Sequence, residues 1–273
     1  MLVWAEGQDG TIGGGALEFA AVTEARAMLA TGGARAVRTL PLGPALGQCC
    51  GGSVTLVHER FAAETLPTAL PFARPLATHD AIPPRVAARL AAMPPGAPPA
   101  EVQGWLIEAA PLPARALWVW GAGHVGRALV TVLAPLPDLA LTWIDTAPDR
   151  FPAAIPNGVA PAVAADPARL ASHAPQDADH LILTYSHDID LALCHALLTR
   201  DFASCGLIGS ATKWARFRAR LAALGHAPAQ IARIACPIGD PGLGKHPQAI
   251  ALGVAAALLR SQGREAGRGN KAG

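Results

Sequence analysis

The second half of the chain alternates short apolar runs with longer stretches in which apolar residues recur every three or four positions. The short runs are typical of buried strands, and the longer stretches are typical of helices that cover a sheet. This alternation predicts a parallel sheet with helices on both of its faces. The predicted strands are 116–120, 139–145, 159–163, 180–186 and 204–209, and the predicted helices are 125–133, 189–199, 211–224 and 247–259.

The first half has a less regular pattern. Residues 15–30 have the periodicity of a helix, and three later segments read as strands. This mixture predicts a small α/β domain. The three segments are ARAVRTLPL (34–42), GSVTLVHE (52–59) and QGWLIEA (103–109).

Two proline-rich segments, 94–100 and 111–113, interrupt the regular pattern between the halves, because proline cannot donate a hydrogen bond to a helix or a sheet. They predict a domain boundary near residue 113. We therefore expect an α/β fold of three parts: an N-terminal α/β domain over 1–112, a Rossmann-type doubly wound parallel sheet over 113–262, and a flexible tail over 263–273.

Composition narrows the classes of protein. The 273 residues are 51% hydrophobic, which is enough to bury a sizeable core, and a net charge of +2 does not suggest a nucleic-acid partner. No stretch of about 18 residues is apolar throughout, so we expect no membrane span. A signal peptide begins with a basic region that is followed by a long apolar region. The opening MLVWAEGQDG has neither, so we expect no signal peptide. The chain has five cysteines, an odd number that does not suggest a framework of disulfide bonds. A reducing cytoplasmic location therefore fits best.

A glycine-rich segment, GAGHVG (121–126), follows the first predicted strand of the second half and opens a helix. In such a turn Gly121 makes the bend, Gly123 lets a diphosphate approach the backbone, and Gly126 lets helix and strand pack closely. The helix N-terminus then offers N–H groups to an anion. Asp145 ends the next strand, 19 residues beyond Gly126, near the spacing of a ribose-binding carboxylate. His124 is either a cofactor contact or an exposed polar residue of the loop.

Other polar residues are expected at the same edge of the sheet, because ligands of such folds bind beyond the carboxyl ends of the strands. The segment YSHD (185–188) follows the fourth strand, and Gly209 and Ser210 follow the fifth. Ser186 or Asp188 is suited to cap the next helix. We count Gly209 and Ser210 among the candidate cofactor-binding residues.

A second glycine-rich loop, GDPGLGKH (239–246), matches the G-x-x-x-x-G-K pattern of phosphate-binding loops. The next position is His246 and not serine or threonine, so the hydroxyl that binds magnesium is missing. The segment argues against a nucleoside triphosphatase and leaves two interpretations, a loop near the cleft or an anion contact by Lys245.

Two adjacent cysteines stand in a third glycine-rich loop, GQCCGG (47–52). Cys49 and Cys50 lie where a loose backbone lets thiols approach a ligand, whereas the other cysteines are expected to pack as small hydrophobic residues. A zinc site would require more ligands at metal spacing, and adjacent cysteines form only a strained disulfide. A soft metal ligand remains the favoured interpretation.

Five segments in order resemble the xanthine dehydrogenase accessory protein family, XdhC, which is related to the CoxI-type proteins. The resemblance covers almost the whole chain. Relatives usually carry, before the segment that matches MLVWAEGQDG, a further strand and a Gly-Ser-x-Pro-like loop that this sequence does not contain. The five segments are TIGGGALE (11–18), LGQCCGG (46–52), VWGAGHVGRAL (119–129), GLIGSATKWARFRARL (206–221) and PIGDPGLGKHPQAIA (237–251).

The resemblance implies a chaperone and not an enzyme. Members of the family bind the molybdenum cofactor (molybdopterin) transiently, hold it while a cysteine desulfurase exchanges an oxo ligand for sulfur, and deliver it to xanthine dehydrogenase. They are not subunits of the finished enzyme. The implied partners are therefore the client xanthine dehydrogenase, a cysteine desulfurase and molybdenum cofactor biosynthesis proteins, and we expect a homodimer.

From the chemistry of the cofactor, and not from the resemblance, we hypothesise where it would bind. One of Cys49 and Cys50 would ligate molybdenum or shield its labile sulfur, with Gln48 beside them. The glycine loops of the second domain would receive the phosphate.

Two other functions are compatible with parts of the pattern. The glycine fingerprint and Asp145 would also suit an NAD(P)-dependent oxidoreductase, although no clear acid–base pair accompanies them. A structural scaffold for a larger molybdoenzyme is the third interpretation. Bound pterin would indicate the chaperone, bound nicotinamide the oxidoreductase, and neither the scaffold.

Overall fold

The structure is a computed structural model that describes residues 1–13, 15–42, 52–77 and 81–269, with side chains up to residue 260. The chain divides into two compact units, Met1–Leu112 and Pro113–Gly273. The division falls among the prolines of 111–113.

The first unit combines short antiparallel sheets with helices. In its described part, β1 pairs with β2, β3 pairs with β4, and β7 lies between β5 and β6. The elements are β1 (Leu2–Trp4), β2 (Gly7–Asp9), α1 (Gly15–Thr31), β3 (Arg35–Pro41), β4 (Ser53–Glu59), β5 (Phe72–Pro75), α2 (Pro84–Ala91), β6 (Ala100–Val102) and β7 (Trp105–Glu108).

The core of the first unit is small. Val86, Met93, Trp105 and Ile107 form a buried cluster between α2 and the β5–β7–β6 sheet. The nearly buried Arg74 pairs with the carboxylates of both Glu59 and Glu108. An apolar cluster of this size supplies limited stability by itself.

The second unit is built on a parallel sheet with the strand order β10–β9–β8–β11–β12–β13. This is the order of a Rossmann fold, and it confirms the predicted fold class. The elements are β8 (Arg115–Trp120), α3 (His124–Leu133), β9 (Leu139–Asp145), β10 (Val159–Val163), α4 (Pro167–Leu170), β11 (Asp179–Ile182), α5 (His187–Leu198), β12 (Ser204–Leu207), α6 (Ala211–Ala223), α7 (Pro228–Ile231), β13 (Ile234–Ala235) and α8 (Pro247–Gly269).

Successive residues of β8 point to opposite faces of this sheet, as the geometry of a strand requires. Leu117 and Val119 pack in one buried cluster with residues of α3 and α8. Trp118 and Trp120 pack in a second cluster with residues of α5 and α6. The continuous apolar run of this strand is thus explained by burial on both faces.

The structure corrects several predicted elements. β11 ends at Ile182 and not at 186, because the amide and hydroxyl of Thr184 bond to Asp190 (3.0 and 2.7 Å) and turn the chain into α5. β12 likewise ends at Leu207. The two-residue β13 was not predicted, since a strand this short has no detectable period.

The end of the last helix is also corrected, whereas the flexibility of residues 263–273 stays a prediction. α8 was expected to end near residue 259, but its backbone remains helical to Gly269. The added segment contains no proline to stop the helix. Within the described residues, the structure contains no helix both long and apolar enough to span a membrane.

Candidate functional site

The order of the sheet locates a crevice in the second unit. Going along the chain, the strands run outward from β8 through β9 to β10, and the next strand, β11, lies on the other side of β8. Ligands of open α/β sheets bind at such a reversal, beyond the carboxyl ends of the two strands. The glycine segment after β8 and the segment after β11 meet there, so the structure brings Gly121–Gly126 and 185–188 to one edge.

The three glycines of the loop have different surroundings. Gly121 has a φ of +120°, and a β-carbon there would collide with the main-chain oxygen of Leu183. A β-carbon at Gly126 would collide with the main-chain oxygen of Gly121, whereas one at Gly123 would meet nothing within 4 Å. The first and third glycines therefore shape the turn, and the second faces open space.

The N-terminus of α3 lies next to this open space. Gly123 is the N-cap residue, and a glycine has no side chain with which to accept the first N–H groups of the helix. The first N–H groups of a helix have no partner within the helix and attract anions. The loop thus has the geometry of an anion-binding site.

Asp145 lies under the loop and is already bonded. Its carboxylate is buried; Oδ2 accepts the Ala122 amide at 2.6 Å, and Oδ1 accepts the Thr146 amide at 2.7 Å. Oδ1 also pairs with Nε of Arg150 at 2.6 Å. In this structure Asp145 connects the end of β9 to the glycine loop. A ribose hydroxyl would have to compete with these donors for the Asp145 carboxylate.

The remaining predicted residues of the second unit serve as surface or cap positions. His124 is the exposed first residue of α3. Ser210 caps α6 by accepting the Lys213 amide at 3.2 Å. A β-carbon at Gly209 would lie 2.7 Å from Cδ of Lys213 and 3.5 Å from Sγ of Cys236, so this glycine permits close packing. Ser186 is the N-cap residue of α5, but its hydroxyl makes no capping bond.

Sequence reasoning missed a buried ion pair near this edge. Nζ of Lys213 lies 2.6 Å from Oδ2 of Asp190, whose side chain is fully buried, and also donates to the main-chain oxygen of Ile208 at 3.0 Å. The other oxygen of Asp190 accepts from Thr184. The two residues stand on consecutive helices, so only the strand order reveals that they meet.

The cysteines of the second unit are poor candidates for reactive thiols. Burial, and after it the nearby Asp190, raises the pKa of Cys194 to about 12. Burial also raises the pKa of Cys205 well above its usual value and raises the pKa of the half-buried Cys236. All three therefore remain protonated near neutral pH, as expected of thiols that pack as small hydrophobic residues.

The predicted residues Gln48, Cys49 and Cys50 lie outside the described residues. Among the residues that the structure describes, no three histidine, cysteine, aspartate or glutamate side chains cluster in a way that could hold a metal ion. The metal end of the predicted site therefore stays a prediction.

A second concave region lies at the outer edge of the sheet. It has a volume of about 640 Å³ and is lined by residues of α6, α7 and β13, including Trp214, Arg218 and Ile231. None of the predicted site residues lines it. The glycine loop and Asp145 lie instead at the crevice beyond β8.

Comparisons with solved structures show the fold. A Bacillus halodurans protein described as a xanthine dehydrogenase matches with a TM-score of 0.65 and 19% identity, over 93% of this chain and 82% of that one. At this identity the likeness concerns the fold alone. A Rossmann-fold NAD(P)-binding family protein from Shigella flexneri matches with a TM-score of only 0.31 and 15% identity, over 41% of this chain and 62% of that one, which is too slight to bear on function.

Comparisons with protein families are more specific. No curated protein matches the sequence. The family described as XdhC Rossmann domain matches residues 117–258, which is more than half of the chain. The XdhC and CoxI family matches residues 1–40. The two matches lie in the two units in the order that the sequence motifs predicted, and the chain belongs to the XdhC family.

Proposed function

We propose that this chain binds the molybdenum cofactor, holds it during sulfuration and delivers it to xanthine dehydrogenase, with no catalysis of its own. Membership of the XdhC family indicates a role in xanthine dehydrogenase maturation. The proposal goes further by naming the cofactor as the ligand and the crevice of the second unit as the place where its phosphate binds.

The observation that carries the proposal is the open side of Gly123. Molybdopterin ends in one phosphate, and a phosphate is the kind of group that a glycine loop and a helix N-terminus bind. A β-carbon at Gly123 would meet nothing within 4 Å, so a ligand can reach the backbone there. The N–H groups at the start of α3 would orient that phosphate, and the exposed His124 lies beside it. The residues present thus fit the phosphate end of the cofactor.

The metal end of the cofactor is assigned to the first unit. When bound, the cofactor supplies a molybdenum centre whose terminal sulfur the client requires. We assign its contact to Cys49 or Cys50, next to Gln48, because thiolates suit sulfur-ligated metals. The raised pKa values of Cys194, Cys205 and Cys236 make those thiols poor alternatives.

The partners follow from the same proposal. They are a cysteine desulfurase, molybdenum cofactor biosynthesis proteins and the client xanthine dehydrogenase, which the chain would serve as a cytoplasmic homodimer. The net charge of +2 offers little long-range attraction, so client recognition would depend on shape and apolar contacts.

Transfer of the cofactor tests the proposal. Cofactor-free xanthine dehydrogenase is mixed with this protein, purified from cells that make the sulfurated cofactor, and the recovered client activity is measured. We expect activity to appear with this protein and not with the same protein purified from cells that lack the cofactor. No recovery in either mixture would contradict the proposal.

The alternative function, an NAD(P)-dependent oxidoreductase, is tested with the same preparation. A dinucleotide present at about a hundred times its dissociation constant would raise the melting temperature by several degrees. Asp145 is already bonded to the loop and to Arg150, so we expect no such rise with NAD or NADP. A clear rise would favour the oxidoreductase.

A further inference from the structure

The side chains of Arg150 and Tyr185 meet beyond the carboxyl end of β8. Arg150 ends a 3-10 turn after β9, and Tyr185 lies in the loop between β11 and α5. The guanidinium carbon lies 4.0 Å from the centre of the tyrosine ring, within the range of a cation–π contact. Because β9 and β11 flank β8 on opposite sides, this contact crosses the crevice at the strand that leads into the glycine loop.

The main chain of Arg150 is held by a hydrogen bond, whereas its side chain is partly exposed. Its main-chain oxygen accepts Nη2 of Arg127 at 2.8 Å, while its side chain is 31% exposed. If its Nε left Asp145, that carboxylate would keep the amides of Ala122 and Thr146 as donors. Movement of the guanidinium therefore does not leave a buried carboxylate without hydrogen bonds.

The terminal nitrogens of Arg150 are available for a ligand. Within the described part of the chain, the contacts of its guanidinium are the Asp145 carboxylate, through Nε, and the face of Tyr185. A guanidinium presents a planar fork of donors that matches a phosphate. A terminal phosphate monoester carries more charge and more free oxygens than the diesters of a dinucleotide, so it is the better partner for this fork.

We propose that Arg150 and Tyr185 form a bar across the crevice that closes it to dinucleotides, and that Arg150 leaves the tyrosine ring to bind a terminal phosphate monoester held at the glycine loop. The inference rests on the proposed function, in which a phosphate binds at Gly123. It adds a specificity for a terminal phosphate monoester over a dinucleotide. A dinucleotide extends across the point where the strand order reverses, and the bar lies across that point.

The two residues of the bar have opposite effects on binding. Arg150 contributes a charge-assisted contact to the phosphate, so its loss weakens binding. Tyr185 holds Arg150 in the closed position, so its loss makes opening easier and strengthens binding. A purely structural role for the pair would change the affinity in the same direction in both variants, or in neither.

The experiment measures the dissociation constants of AMP, adenosine and NAD for the purified full-length chain by titration calorimetry. For AMP, we expect Tyr185→Ala to lower the dissociation constant about two- to five-fold, the size of a cation–π contact. We expect Arg150→Ala to raise it about ten-fold or more, the size of a hydrogen bond to a charged group. Adenosine lacks the phosphate. It should therefore bind the wild type and the variants no better than AMP or NAD does.

Matched controls separate this effect from misfolding. Tyr185→Phe keeps the ring and should bind AMP as the wild type does, and the ligand-free melting curves of all variants should retain a single cooperative transition. NAD should bind the wild type more weakly than AMP, and Tyr185→Ala should narrow that difference. The inference is overturned if Tyr185→Ala weakens AMP binding, if both alanine variants shift it in the same direction, or if the wild type binds none of the probes.

The same measurements separate this inference from the proposed function. Opposite shifts with AMP in a protein that neither carries nor transfers the molybdenum cofactor would support the bar and contradict the chaperone. Cofactor transfer by a protein whose AMP affinity is unchanged in both alanine variants would support the chaperone and contradict the bar.

Discussion

Three glycines within six residues shape the loop after β8, and each has its own reason to be there. Gly121 needs a positive φ and sits against the backbone of Leu183, and Gly126 sits against the loop itself. Gly123 has an ordinary φ of −71° and an open side. The absence of a side chain at Gly123 is therefore not required by the fold. It lets a ligand reach the backbone.

This difference predicts different costs for the same substitution. Gly123→Ala should change the free energy of unfolding by no more than about 1 kcal/mol, because alanine can adopt its backbone conformation. Gly121→Ala and Gly126→Ala should each cost more than about 3 kcal/mol, because the new methyl group meets main-chain atoms. Urea denaturation of the three variants checks this. Equal losses in all three would show that the loop does not have the described geometry.

A buried histidine on β11 predicts how stability depends on pH. His180 accepts the indole N–H of Trp120 through Nδ1 at 3.2 Å. Burial, and after it the charge of Arg200, lowers the pKa of His180 from 6.5 to about 4. Its ring is therefore neutral in the folded chain near pH 7.

The sign of the effect follows from this lowered pKa. Between pH 6.5 and 4 the unfolded chain binds a proton at His180 that the folded chain does not, so stability falls as the pH falls, by up to about 3 kcal/mol. His180→Phe removes the titrating group and keeps an aromatic ring. The free energy of unfolding of this variant should decline less than that of the wild type across this window. Parallel declines in the two proteins would contradict the assigned pKa.

At the scale of elements, one ion pair joins α5 and α6 beside the crevice. The side chain of Asp190 is fully buried and that of Lys213 is 10% exposed, and Asp190 also bonds the loop after β11 through Thr184. Removing one partner of a buried pair leaves the other charge uncompensated, at a cost of about 3 kcal/mol or more. The pair therefore fixes the start of both helices relative to β11.

A double-mutant cycle tests this coupling. Lys213→Met and Asp190→Asn should each destabilise the protein, whereas the double variant should lose at least about 1 kcal/mol less than the sum of the two. Asparagine keeps an oxygen that can accept from Thr184, so the cycle isolates the charge pair. Guanidinium denaturation gives the four free energies, and simple additivity would mean that the two charges do not interact.

All strands of the second unit except the two-residue β13 were predictable, because they lie in apolar runs bounded by glycine or polar residues. The bounds of β9 and β10 agree with those expected from the sequence. The predicted lengths of β11 and α8 were wrong. A side-chain bond to Asp190 decides where β11 ends, and the absence of a stop signal decides the length of α8. In the first unit, α2 and the short β5 and β6 carry too few periodic residues to be recognised.

In the candidate site, too, features set by a local motif were predictable, and features set by contacts between distant residues were not. The fingerprint located the glycine loop, because a short local motif specifies both its turn and its helix. Arg150 and Tyr185 could not be paired from the sequence, because their contact depends on β9 and β11 flanking β8. Asp145 had the expected position, but the donors that surround its carboxylate become visible only in the fold.

At the scale of the whole molecule, the two units would divide the work of holding one cofactor. The second unit has two large buried clusters on the faces of its sheet and presents the glycine loop at one edge. The first unit carries the segment with Cys49 and Cys50. In the proposed function the second unit binds the phosphate and the first unit contacts the metal.

The most direct test of this account is the amount of molybdopterin that remains with the protein after gel filtration. The protein is purified from cells that make the cofactor, as the wild type, as Gly123→Val and as the double variant Cys49→Ala/Cys50→Ala. Thr131→Ala, on the exposed face of α3, is the control. We predict stoichiometric pterin in the wild type and the control, and a large loss in both test variants, which should remain folded. A wild-type protein without pterin, or with nicotinamide in its place, would contradict the account.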